Sequence, residues 1–424
     1  MSDKLLVYRY VASRTLSRVI GVVRLVVMLA VLGHGAVAAL FAAATVVCAV
    51  VSNVADSICN VVLLPQAAFF RSKGNVELSL SLTVGVSALL VAVVEMYADP
   101  LGRFVAGEYM LNGGVLALRI LGMGALLQTC TAACRSLLLA HEDVVPAAIL
   151  SLPMNIIMSV GILTEGRTIG VVALAGLYFF GAAVEAGCAL WLSFRRWFPF
   201  DCCALLQVAR GAVITGFRVP MLAALGSAAT FAGYVLVERA CAARLTGGMP
   251  ALLGYALSVG AVIASVVCEV STAASRRIML SEAGVTRWVF AVGCIAFASV
   301  VAASGGVIWM RGAIMYVLAS WGVRSLSMFE GLSLIAIWGA LPAAMLSVCV
   351  KYLIGKKQSE FVVLASAVGF GAAMLWDVLT YRKWGGWGLA TGAVLGPALA
   401  LLVVGMRTVQ LVKSRESVGV AVGR

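Results

Sequence analysis

The sequence predicts an all-α polytopic membrane protein of about twelve transmembrane helices, arranged as two parallel six-helix lobes. Three observations predict it. The 424 residues are 62% hydrophobic and only 12% charged, with mean hydropathy +1.06, which no soluble domain of this length sustains. Apolar runs of about 20 residues, the length a bilayer requires, recur from end to end. A shift of 215 residues, nearly half the chain, lays the later spans of the first half on those of the second. Short alternating strands of an outer-membrane barrel are absent from the sequence, and no extended segment is polar enough for a soluble domain.

The first span, 16–33, is apolar apart from Arg18 and Arg24. The second, 37–66, is too long for one straight crossing and is expected to project past the bilayer. Spans three to six follow at 77–97, 113–140, 145–164 and 169–194. Several connections are only a few residues long, which makes consecutive helices antiparallel neighbours. The second half supplies 211–238, 249–274, 286–309, 326–354, 359–380 and 386–411. The expected lobes are residues 1–205 and 206–424.

The repeat is visible residue by residue. The shift pairs Gly124-Ala125-Leu126 with Gly339-Ala340-Leu341, Cys134 with Cys349, and Arg167 with Arg382. It also pairs Gly170, Leu174 and Ala175 with Gly385, Leu389 and Ala390, and Arg24 with Arg239. Residues 121–176 match without a gap at ten of 56 positions, against about five expected for so biased a composition. Six spans per repeat is an even number, so both halves insert the same way up, related by an axis along the membrane normal. The small residues of GVVALAG (170–176) and GGWGLATG (385–392) read as helix-packing surfaces.

The net charge of +13 is topological. With an inside N-terminus, 18 of the 31 lysines and arginines fall in cytoplasmic segments, beginning with Lys4, Arg9 and Arg14 and ending with Arg407, Lys413, Arg415 and Arg424. Seven fall outside and six within spans. By the positive-inside rule both termini are cytoplasmic, and nucleic-acid binding is not expected. A cleaved leader ending near Ala36–Ala38 is a rival reading, but Arg24 interrupts its apolar core and the charge map requires helix one to stay. Most of the eleven cysteines lie inside spans as packing residues, and with only His34 and His141 in the chain no metal site is expected. LIGKKQ (353–358) lacks the first glycine and the Ser/Thr of a phosphate-binding loop, so no nucleotide and no cofactor is expected. No acid–base or nucleophile constellation appears, which points to a transporter rather than an enzyme.

What remains is charge inside the membrane. Arg18, Arg24, Arg119, Arg135, Arg218 and Arg239 face Asp56, Glu185, Glu238, Glu269, Glu330 and Asp377. Such residues line polar cavities or pair with one another. Arg135, Glu185, Glu330 and Asp377 are expected to form buried pairs or to snorkel at helix ends. Arg24 lies about 9 Å deeper than Arg18 along the helix, too deep to reach water easily. A guanidinium in low dielectric keeps its charge and grips phosphate bidentately. Arginines lining a cavity between two lobes would suit an amphiphilic, phosphate-bearing lipid; the rival reading is an Arg24–Asp56 pair holding the lobe together.

SRVIGVVR (17–24), Ala55-Asp56, Pro65 and RSKGN (71–75), with ASRRIMLSEAG (274–284) after helix eight, resemble the MurJ/MviN family of the MATE-like multidrug/oligosaccharidyl-lipid/polysaccharide exporter superfamily. Ser17, Arg18, Gly21 and Arg24 match the family's Ser-Arg-x-x-Gly-x-x-Arg; Leu25 stands where the family has Asp, and Leu257-Ser258 where it has Asp-Arg. The resemblance implies a flippase moving an undecaprenyl-pyrophosphate-linked peptidoglycan precursor, lipid II, across the bacterial inner membrane by alternating access. The implied substrate-binding residues are Arg18 and Arg24; Asp56, Arg218, Glu238 and Arg239 are added from the intramembrane charges. Membrane lipids and a coupling ion are the other expected partners. A flippase for O-antigen-type lipids, a cation-coupled drug exporter and an inactive scaffold are the alternatives.

Overall fold

The computed structural model describes residues 3–33, 35–64, 73–110, 112–140, 143–197, 213–245, 248–274, 278–279, 285–309, 311–312 and 326–422. They are helical, without a strand among the described residues. Twelve helices are long and apolar enough to cross a membrane: α1 (Ala12–Leu32), α2 (Ala36–Leu63), α3 (Ser79–Met96), α4 (Gly114–Ala140), α5 (Val145–Glu165), α6 (Val171–Ser193), α7 (Pro220–Ala243), α8 (Met249–Thr272), α9 (Val285–Trp309), α10 (Ser327–Gly355), α11 (Ser359–Trp384) and α12 (Gly386–Ser414). Each coincides with an expected span. The long second span is accommodated by a π-helical turn, Cys59–Leu63, at the end of α2. A helical turn breaks near Leu150 in α5 and at Gly339 in α10. The short helix Ala98–Ala106 joins α3 to the α4 side of the bundle.

The two halves use one packing scheme. In the first, α4 packs on α2, α3 and α6, and α5 packs on α1 and α6; in the second, α10 packs on α8, α9 and α12, and α11 packs on α7 and α12. Adding six to each number converts one set into the other. Contacts between halves obey the same symmetry, with α1 against α8 and α2 against α7, plus α2 against α8. The fold is therefore two parallel six-helix lobes. The expected boundary at 205/206 lies outside the described residues.

Small side chains let these helices approach. The paired positions Leu174/Leu389 and Ala175/Ala390 are all fully buried. Gly369 sits directly against Gly396 and Ala400, so any side chain there would meet α12 backbone. Hydroxyls inside spans donate back to their own helix, as Thr83 does to Ser79 O at 2.7 Å and Ser258 to Gly254 O at 2.7 Å. That satisfies them without water.

Equivalent seams hold different chemistry. Asp56 on α2 pairs with Arg135 on α4 at 2.7 Å. The shift carries Asp56 onto Ser271, and there Lys351 of α10 donates to Ser271 Oγ at 2.7 Å, Thr272 Oγ1 at 2.9 Å and Ser347 Oγ at 3.2 Å. Both arrangements tie the central helix of a lobe to the helix lining the cleft.

Candidate substrate cavity between the lobes

A cavity of about 320 Å³ lies where α1, α2, α4, α5 and α6 meet α7 and α8. Arg24 enters from α1 and Arg239 from α7. These are the two arginines that the 215-residue shift superposes, so the pseudo-symmetry of the fold directs two cations to one chamber. Thr45, Gln128, Tyr178, Tyr255 and Ser258 supply neutral polar groups, and Met28, Met154 and Met158 are among the apolar lining.

The polar groups are positioned but not consumed. Arg24 Nε, Arg239 Nε and the Tyr255 hydroxyl are buried without a hydrogen-bond partner among the described residues. An unsatisfied buried donor costs about 1–3 kcal/mol, and more when charged. Arg239 donates from Nη1 to Pro250 O at 3.3 Å, which fixes the head against α8. Gln128 Nε2 approaches Met154 Sδ at 3.2 Å, and its side chain also hydrogen-bonds Tyr178. The carboxylate acting on Arg24 is Glu185 of α6, which also balances Arg135, Arg14 and Arg18. Arg24 and Arg239 are the cationic side chains of the cavity lining, and the lining contains no carboxylate.

The other expected site residues are placed as follows. Arg18 sits one and a half turns from Arg24, outside the cavity lining and within the field of Glu185. Asp56 belongs to the α2–α4 ion pair rather than to the cavity, and its partner is Arg135, not Arg24. Arg135 lies on the helix that packs directly on α2, so the short-range pair forms there. The side chain of Arg218 lies outside the described residues. Glu238 is buried behind Arg239, at 3.9 Å from its Nε, and accepts from the Tyr234 hydroxyl at 3.0 Å.

Of the charges expected to be structural pairs, Arg135 and Glu330 are paired, the latter with Arg311 at 3.2 Å. Asp377 is different. It is fully buried on α11, neither oxygen has a hydrogen-bond partner among the described residues, and the charge acting on it is the carboxylate of Glu238. Gly392 of α12 is pressed against it, leaving no room for a side chain. Tyr178 and Gln128 gave no sequence signal beyond being polar inside apolar spans.

The face of the bundle near Leu32 and Ala243 is closed between the lobes. The Tyr109 hydroxyl, in the α3–α4 connection, donates to Leu245 O at 3.3 Å and accepts from Gly248 N at 3.2 Å. Gly107, with φ +54°, lies against Ala243, where a Cβ would meet the carbonyl at 3.4 Å. Toward the opposite face, Val54, Ile58, Val61 and Val62 of α2 pack on Ala224 and Ala228 of α7.

No family model and no curated protein matches the chain. Solved structures do. The lipid II flippase MurJ in an inward closed conformation superposes with TM-score 0.71 at 13% identity, covering 93% of this chain and 86% of that one. A multidrug resistance MATE family transporter of the MOP superfamily, outward-facing, gives 0.67 at 16% identity over 97% of both chains. A MOP superfamily transporter from Pyrococcus furiosus, described by a reverse polarity of its binding pocket, gives 0.56 at 15% identity over 97% of both. At these identities the likeness establishes the fold, and the chain has that of the MurJ and MATE transporters.

Proposed function

We propose that this protein is a flippase for a lipid-linked saccharide carried on a pyrophosphate, with lipid II as the cargo. One observation carries the reading: Arg24 and Arg239, symmetry-related and with unused donors, share one inter-lobe cavity. A pyrophosphate is the ligand such a chamber favours, since each guanidinium can take one phosphoryl group bidentately. The fold shared with the lipid II flippase and the SRVIGVVR motif agree with it. Residues 1–205 and 206–424 would rock about the α1–α8 and α2–α7 seams.

The charge split sets the direction. The termini lie on the cytoplasmic side of the inner membrane, so the Tyr109 latch closes the external mouth. Arg18 receives the headgroup nearer the cytoplasm and passes it to Arg24. A cavity of 320 Å³ holds a pyrophosphate but not a disaccharide with its peptide, so the lobes must open to admit the full headgroup. The buried acids Glu238 and Asp377 are where a proton or other cation would couple that motion to a gradient, as transport without a nucleotide requires. A cation-coupled drug exporter would use the same acid pair but not a cavity this rich in arginine.

The test is depletion in the native host followed by analysis of the lipid-linked intermediates. Accumulation of lipid II on the cytoplasmic side supports the reading. Accumulation of a different lipid-linked oligosaccharide reassigns the cargo, and no accumulation with altered drug sensitivity supports the exporter.

A further inference from the structure

A second cavity, about 970 Å³, opens on the lipid-facing surface of the second lobe between α9 and α12, with α10 as its floor. Phe290, Cys294 and Phe297 form one wall, and Leu402, Met406 and Val409 the other. Five of these six side chains are exposed hydrophobics and the sixth, Cys294, is also exposed. The hollow exists because Gly293 and Gly405 leave it open; a Cβ at Gly405 would meet nothing within 4 Å. It is separate from the Arg24 cavity, with which it shares no lining residue.

Its depth selects the occupant. Along α9 the lining runs from Val285 to Phe297, about 18 Å at 1.5 Å per residue. That is close to half of a hydrocarbon core of about 30 Å. A partner's transmembrane helix would need a groove along both leaflets; a lipid of one leaflet needs only this one.

Charge selects the headgroup. Arg287 extends the Phe290–Cys294–Phe297 stripe by one helical step, and Lys413 extends the Leu402–Met406–Val409 stripe by one step. Both walls therefore end in an exposed basic residue, at the same membrane face. A third cation, Arg407, lies at the same face on the α11 side of α12, outside the groove lining, and is held by neutral partners. Its Nε and Nη2 donate to Gln358 Oε1 at 3.1 and 2.8 Å, and its Nη1 donates to the groove residue Gln410 at 3.4 Å. The guanidinium also lies over Phe361 at 4.5 Å. Among the described residues, none of the three forms an ion pair.

We propose that this groove binds an anionic phospholipid of the leaflet on the side of the chain termini. Its acyl chains fill the hollow, and its phosphate meets Arg287, Arg407 and Lys413. The site is independent of the transported cargo: it faces the bilayer on the outer side of one lobe and is filled by a resident lipid.

The experiment is native mass spectrometry of the purified full chain, titrated with phosphatidylglycerol or phosphatidylcholine. Wild type should retain one phosphatidylglycerol in preference to phosphatidylcholine. Arg287→Gln, Arg407→Gln and Lys413→Gln should each weaken that retention about fivefold, the fold-change for roughly 1 kcal/mol per basic residue at an anionic surface. Gly405→Trp, which fills the hollow from one wall, should lower retention of both lipids. Neutralising Arg382 and Lys383 at the opposite face should change neither. Equal retention of the two lipids by wild type overturns the proposal, as does undiminished phosphatidylglycerol binding in the triple Gln variant or in Gly405→Trp. Thermal melts identify any variant that fails to fold, and wild-type selectivity then decides.

Discussion

Removing the Tyr109 hydroxyl should open the outer mouth. In Tyr109→Phe the ring stays and two hydrogen bonds across the lobes go, those with Leu245 O at 3.3 Å and Gly248 N at 3.2 Å. Both are longer than the usual 2.9–3.0 Å, so each belongs at the low end of the net range of about 0.5–1.5 kcal/mol. Together they stabilise the closed mouth by about 1 kcal/mol, a roughly fivefold change in the closed-to-open ratio. A second lever lies two residues away. Gly107→Ala places a Cβ 3.4 Å from the Ala243 carbonyl, a contact made across the closed mouth, on backbone at φ 54° and ψ −124° that costs a non-glycine residue about 1–3 kcal/mol. The assay is pulsed EPR between spin labels at Arg103 and Arg244, both exposed near this mouth, in a cysteine-free background. Tyr109→Phe should raise the long-distance population about fivefold, and Gly107→Ala should raise it further. An unchanged distribution in both variants would show that the latch carries no weight.

Other outcomes follow from the buried charges. Arg135→Met strands Asp56, and because the pair is partly exposed, the cost should fall near 2 kcal/mol, between surface and buried values; Arg135→Met with Asp56→Leu should recover most of the lost thermal stability. Asp377→Asn or Glu238→Gln should leave substrate binding intact while abolishing the dependence of transport on an ion gradient. A simultaneous loss of binding would place the acid pair in the substrate site instead. Cysteines introduced at Arg103, Arg167, Arg311 and Arg382 should react with an impermeant maleimide from outside the cell, and those at Arg71, Arg195, Arg276 and Lys356 should not. The reverse pattern inverts the assigned topology.

The spans were legible because hydropathy over about 20 residues is a one-dimensional signal, and all twelve expected spans coincide with structural ones. The convergence of Arg24 and Arg239 was legible only as a coincidence of the 215-residue shift; the fold turns that symmetry into a shared chamber. Pairing was not legible. Asp56 and Arg135 are 79 residues apart, and nothing local tells Asp56 to choose Arg135 over Arg24. Asp377 read as one more buried partner, whereas neither of its oxygens has a hydrogen-bond partner among the described residues. Tyr178 and Tyr255 are single polar rings on helices whose other faces are packed, and spacing along one helix does not reveal which face borders a cavity.

The central claim is that Arg24 and Arg239 hold a pyrophosphate. Its most direct test is the affinity of the purified protein for a water-soluble short-chain prenyl pyrophosphate, measured by calorimetry. Arg24→Ala and Arg239→Ala should each weaken binding by at least about tenfold, the loss of one charged hydrogen-bonding group. Arg24→Lys should recover part of it, because an ammonium keeps the charge without the bidentate fork. Wild-type affinity in a folded Arg24→Ala, Arg239→Ala double variant would contradict the account.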